Sequence, residues 1–146
     1  MKSLVLFFVI VCFVSGCSKK ETEPEWADKW VGTWVAPAMT MSGGSDTFVH
    51  TLNITKEGAE TILIQYRVSR RGSVNYEYTI NNITAQKTVD PFVFNIPKTK
   101  RLFYVNGQVG GEFDIAGSGI LDNNSISVTL EWFGLLPFQR FAVKKQ

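Results

Sequence analysis

Cysteine is almost absent from this chain. Of 146 residues only Cys12 and Cys17 are cysteine. Beyond residue 17, therefore, no disulfide and no thiolate metal site can form. Histidine is scarcer still, with His50 alone. A zinc-type site needs several converging nitrogen or sulfur ligands, so no metal is expected. A Gly-x-Ser-x-Gly elbow and a phosphate-cradling glycine loop are also missing, and no cofactor is expected. An excess of one charge is lacking too. Fifteen Lys and Arg stand against 13 Asp and Glu, a formal net charge of +2. That balance excludes the strongly basic face of a nucleic-acid binder. Long hydrophobic runs are absent: the run at residues 4–14 falls short of the about 20 apolar residues that span a bilayer. No long stretch shows a helical period, which excludes the crossovers of a parallel sheet.

What is present begins at the amino terminus. Lys2 precedes the uncharged run, and Val14-Ser15-Gly16-Cys17 ends it. A positive start, a short apolar core and small residues form a secretory signal. Cysteine directly after the small pair resembles the lipobox of bacterial lipoproteins. The resemblance implies that residues 1–16 are a signal peptide cut before Cys17. The Cys17 thiol would then be acylated with chains of the palmitate kind and become the first residue of the mature protein. Losing Lys2 with the leader lowers the net charge to +1. Residues 17–25 read as the lipidated cysteine and a flexible polar tether. Residues 26–146 read as one domain, a size within the usual range. Ser18 after the cysteine resembles the pattern of lipoproteins sent to the outer membrane. Lys20-Glu21-Thr22-Glu23 partly matches clusters that carry such proteins to the cell surface. The expected location is the outer membrane, on its periplasmic face or at the cell surface.

Pro24 suits the first position of a short helical turn. Trp26 and Trp30, four apart, share one face of it and pack on the end of the domain. From Trp34 onward the period becomes two. His50, Leu52 and Ile54 share a face; so do Ile62, Ile64, Tyr66 and Val68, then Val74, Tyr76, Tyr78 and Ile80, then Ile126, Val128, Leu130 and Trp132. These are strands buried on one side. Lys56-Glu57-Gly58, Arg70-Arg71-Gly72, Asn106-Gly107 and Asp122-Asn123-Asn124 suit the turns between them. Gly110-Gly111 and Gly117-Ser118-Gly119 read as bulges or tight bends. Short strands joined in sequence make an all-β, antiparallel, single-domain fold: an up-and-down barrel or a β-sandwich.

Two features favour the barrel. Trp30-Val31-Gly32-Thr33-Trp34 opens the first strand, and Phe138-Gln139-Arg140-Phe141 lies in the last. Gly-x-Trp near the start with a late arginine resembles the lipocalin and calycin pattern. The resemblance implies that Gly32 turns the chain into the strand, Trp34 fills the barrel floor and Arg140 stacks on it, closing the barrel. A shielded guanidinium over an indole is worth ~0.5–2 kcal/mol.

Catalytic chemistry has little to stand on, and no enzyme activity is expected. His50 reads as a hydrogen-bonded inward residue. Glu112 and Asp114 share a strand face opposite Phe113 and Ile115. They suit a solvated outer wall, or a hard cation. Arg67, Arg70 and Arg71 gather near a hairpin tip, solvated or set against lipid phosphates or an acidic partner. Residues 132–138 join the last two strands almost without polar side chains. This segment either buries itself over the barrel end or offers Trp132, Phe133, Leu135 and Leu136 to an envelope protein partner. The leading expectation is a lipid-anchored barrel that binds a small, mostly apolar ligand. Leu52, Ile62, Ile64, Tyr66, Tyr76, Tyr78 and Phe113 are its candidate lining. The alternative is an interaction or inhibitor module docking on a larger envelope assembly.

Overall fold

The computed structural model describes residues 24–40, 46–72, 75–133 and 136–146. The expected signal peptide, Cys17 and the expected tether through residue 23 lie outside these residues, as do Val74 and Leu135. Period-two patterning becomes nine strands: β1 (Gly32–Val35), β2 (Met39–Thr40), β3 (Thr47–Gly58), β4 (Thr61–Arg71), β5 (Tyr76–Lys87), β6 (Val93–Val105), β7 (Gln108–Asp122), β8 (Ser125–Phe133) and β9 (Leu136–Lys145). Each strand from β3 to β9 pairs antiparallel with the next. β1 and β2 both lie along β3 and form one interrupted stave, held between them by Ala36 N–H donating to His50 O at 2.9 Å.

Closure falls to β1, which pairs with β3 on one side and β9 on the other. Trp34 lies opposite both Leu52 and Lys145, and the Gln146 N–H donates to Thr33 O at 3.0 Å. The molecule is a closed, eight-staved, antiparallel up-and-down β-barrel, which removes the sandwich alternative. Closing the sheet leaves no long free edge. Among the described residues no helix is long and apolar enough to cross a membrane.

A short 3₁₀ helix, Trp26–Lys29, plugs one end, here termed the floor. Glu25 caps it, so Pro24 sits just outside rather than in its first turn. Trp26 Nε1 donates to Pro91 O at 3.0 Å, which ties the plug to the β5–β6 turn. Trp30 and Trp34 are fully buried above it; Trp34 Nε1 donates to Trp30 O at 2.8 Å, and Phe94 meets the Trp30 ring edge-on at 4.9 Å. Ile54, Ile62, Ile83, Ile126 and Val143 complete this half of the core.

Gly32, the first residue of β1, has a φ of 139°, the left-handed region where glycine is favoured. Arg140, by contrast, does not close the barrel. The inward set of β9 is Phe141 and Val143, so Arg140 points out and is exposed. The cation over the Trp34 ring is Lys145, at 5.4 Å from its centroid. β9 meets β1 only in its last residues, beyond the reach of Arg140.

The turn at Asn106-Gly107, with φ of 50° and 81°, is the expected two-residue hairpin. β3 runs on through Gly58, however, and the turn comes at residues 59–60, after a bulge between Lys56 and Gly58. Gly110 bulges as expected, because Phe103 pairs with Gly111 while Tyr104 pairs with Val109. Gly117 and Gly119 do not bend the chain. β7 stays in continuous register with β8 from Asp114 to Asp122. Gly119 is needed for space, since an added Cβ would enter the ring of Phe94.

Candidate binding site at the aromatic end of the barrel

The end opposite the floor is lined by rings, one from each of the seven long strands. Alternation points His50, Tyr66, Tyr78, Phe103, Phe113, Trp132 and Phe141 inward from β3 to β9 in turn. They form two stacks. His50 lies on Phe141 at 4.6 Å between centroids, and Phe141 lies beside Tyr66 at 5.5 Å. Phe103, Tyr78, Trp132 and Phe113 follow one another at 5.1, 5.1 and 5.3 Å. Tyr66 joins the stacks edge-on to Trp132 at 5.9 Å. Such offset and edge contacts are the favoured aromatic geometries.

The polar atoms of this end are buried as well. His50 Nδ1 and the Tyr66 hydroxyl share a hydrogen bond of 2.6 Å. Burial holds the His50 imidazole below its usual pKa, so it is neutral at pH 7. Burial also pushes the Tyr66 and Tyr78 hydroxyls well above the usual phenol range, with the neighbouring Tyr78 adding to the effect on Tyr66. Among the described residues the Tyr78 hydroxyl and Trp132 Nε1 are buried without a hydrogen-bond partner, as are Trp30 Nε1 in the floor and Arg67 Nε on the outer wall. Buried polar groups are normally paired, so two orphans in one ring stack mark an unmet need. At the rim Arg70 donates from Nε and Nη2 to the Asp46 carboxylate, and its guanidinium lies 5.5 Å from the Tyr76 ring centroid and 5.8 Å from that of Phe48.

Of the expected lining residues, Tyr66, Tyr78 and Phe113 meet here. Leu52 and Ile64 lie in the buried core near mid-barrel, and Ile62 belongs to the floor half, opposite Ala85. Tyr76 is half-buried at the rim rather than inside. The expected apolar connection at residues 132–138 is corrected. β8 continues to Phe133 and β9 starts at Leu136, so both strands run into the segment expected to be a connection. Trp132 is 6% exposed and belongs to the interior, where no partner protein can reach it. Phe133 and Leu136 are strand residues, and Leu135 lies outside the described residues. Phe103 and Phe141 were missed. Phe141 was readable from its alternation with Val143, whereas Phe103 was masked by an irregularity earlier in β6.

The other candidates lie elsewhere. Glu112 and Asp114 are on the outer wall, with Lys100 at 3.7 Å and Lys98 at 3.3 Å. Arg67 faces Glu77 across the outer wall at 3.6 Å, and Arg71 is exposed. Among the described residues no three His, Cys, Asp or Glu side chains gather to hold a metal.

Fold and site together define an up-and-down β-barrel with one plugged end and one neutral, aromatic end. Comparison with protein-family models, curated proteins and solved structures finds no match for the chain.

The neutral burial of His50 has a measurable consequence. Its folded pKa lies below the ordinary imidazole value of 6.5, so the unfolded chain binds the proton first. Stability is thus complete above pH 6.5 and falls as pH drops from there toward the folded pKa, by at most ~1.4 kcal/mol per pH unit for one proton. Urea midpoints at pH 7.5, 6 and 5 measure the decline, and His50→Gln should flatten it. A wild-type midpoint that holds steady or rises on acidification overturns the assignment.

Proposed function

We propose that this barrel binds a small, planar, mostly apolar molecule carrying a hydrogen-bond acceptor, and that it does so as a non-enzymatic domain held at the outer membrane by lipid on Cys17. The single observation behind this is the pair of buried donors, Tyr78 hydroxyl and Trp132 Nε1, left unpartnered among stacked rings. An acceptor on a flat ligand satisfies them, and the rings supply polarizable, neutral surface. Arg70 and Asp46 at the rim provide the polar edge that ligand sites combine with an apolar lining. The lipobox-like Val14-Ser15-Gly16-Cys17 and the polar tether support the anchored location.

Native mass spectrometry of the protein purified from a cell that makes its own envelope lipids tests this. A retained small mass is expected, released in Tyr78→Phe combined with Trp132→Phe, which keep rings but remove both donors. A bare wild-type monomer, or retention indifferent to the double variant, overturns the proposal.

A further inference from the structure

The barrel wall is interrupted on its outer side between β5 and β6. Ladder pairs join Ile80 to Phe103 and Gln86 to Asn95, but residues 81–85 and 96–102 between them have none. Two bulges face each other across this lapse. Asn82, with φ of 56°, adds a residue to β5 opposite Gln65. β6 carries an extra residue between Ile96 and Thr99, where Pro97 has no N–H to offer a neighbour. Arg101 spans the opening, its Nε donating to Asn82 O at 2.8 Å and its Nη1 to Thr99 Oγ1 at 3.0 Å.

A chain of side-chain hydrogen bonds runs across the outer wall and ends at this opening. Thr33 Oγ1 donates to Asn53 Oδ1 at 3.0 Å, Asn53 Nδ2 to Gln65 Oε1 at 2.9 Å, and Gln65 Nε2 to Asn81 Oδ1 at 2.8 Å. Every link points the same way. Asn81 takes part through Oδ1 and Arg101 through Nε and Nη1, so among the described residues Asn81 Nδ2 and Arg101 Nη2 remain as donors open to solvent or a ligand. Each bond polarises the next, so the terminal donor is strengthened by those behind it. The opening is an outer groove of about 640 Å³, within the about 300–1,000 Å³ of small-molecule sites. Leu63, Leu102 and Tyr104 give it apolar surface.

Its charge decides what fits. Lys100 and Arg101 are balanced by Glu57 and Glu112, so an ion gains little there. Side-chain donors and acceptors both line it, together with an aromatic ring. Backbone groups of a strand lie in the plane of the sheet, so a peptide laid on the outer wall cannot pair with them. A neutral polyol, whose hydroxyls donate and accept while its C–H faces rest on Tyr104 and the leucines, matches all of these.

We infer that the outer groove over the β5–β6 interruption is a binding site for a short neutral oligosaccharide, held by Asn81, Arg101 and Tyr104. It is separate from the interior site and independent of the ligand proposed there.

The full-length protein, in a detergent without sugar headgroups, is screened against neutral di- to hexasaccharides of glucose, galactose, mannose and N-acetylglucosamine. Uronic-acid oligosaccharides and a peptide library run alongside, and hits are titrated by calorimetry. A neutral oligosaccharide is expected to bind. Asn81→Asp keeps the acceptor for Gln65 but removes the free donor, and should weaken binding about tenfold. Tyr104→Ala should do the same, while Tyr78→Phe in the interior leaves binding unchanged. No neutral binder at millimolar concentration overturns the inference. So does preference for acidic sugars or peptides, or binding indifferent to Asn81→Asp in a variant with wild-type circular dichroism and urea midpoint.

Discussion

Trp34→Ala is expected to lose about 3–5 kcal/mol of stability, as large-to-small changes at fully buried aromatics do. Trp34 is 1% exposed and sits where β1 bridges β3 and β9. Its removal empties the centre of the floor, leaves Trp30 O without the indole donor and strips Lys145 of its ring. Domains of this size have about 5–15 kcal/mol in all, so the variant is near its threshold. Urea unfolding followed by the fluorescence of the remaining tryptophans measures it. The midpoint should fall with little change in slope. The contrast with Arg140→Ala is diagnostic, since that exposed outer-wall residue should shift stability by no more than ~0.5 kcal/mol. A large loss at Arg140, or a loss under ~1 kcal/mol at Trp34, contradicts this account of closure.

Cys17→Ala is the second change with a large expected effect. Under the proposal that Cys17 carries lipid, each buried CH₂ contributes ~0.8 kcal/mol to membrane association, and several chains hold the protein effectively permanently. The wild-type protein should stay in the membrane pellet through a high-salt wash, and the variant should move to the soluble fraction. The wild-type amino-terminal peptide should begin at Cys17 and carry added acyl mass. An unmodified Cys17, or a pellet that keeps the variant, removes the anchor from the proposal.

Much of the barrel was legible because burial on one face writes period two directly into a strand. His50-x-Leu52-x-Ile54 and Ile62 through Val68 kept their phase along their whole length, and their inward sides were read correctly. Phase fails where a bulge inserts one residue. On β5 the inward set passes from Tyr78 and Ile80 to Ile83 and Ala85 across Asn82, and on β6 from Phe94 and Ile96 to Phe103. A single extra residue moves every later side chain to the other face, and nothing in Asn82 or Pro97 alone announces it. Arg140 misled for a different reason. A motif match placed a charge inward where the alternation of Phe141 and Val143 already placed it outward. Trp132 belonged both to the period from Ile126 onward and to the apolar segment read as a connection, and the period decides, since it runs through Trp132 unbroken. The orphaned donors and the directed amide chain were beyond reach, since both depend on which strands become neighbours.

The position of β9 has a consequence for how the chain acquires its fold. The last ten-residue strand, Leu136–Lys145, supplies the partner that β1 needs on its open side. Until those residues are available, Trp34 has no Lys145 above it and the sheet keeps two free edges. β9 comes last of the described strands in chain order, and joining it to β1 means closing a loop of nearly the whole domain, a slow step in any chain. The barrel therefore stays an open sheet until β9 has reached β1.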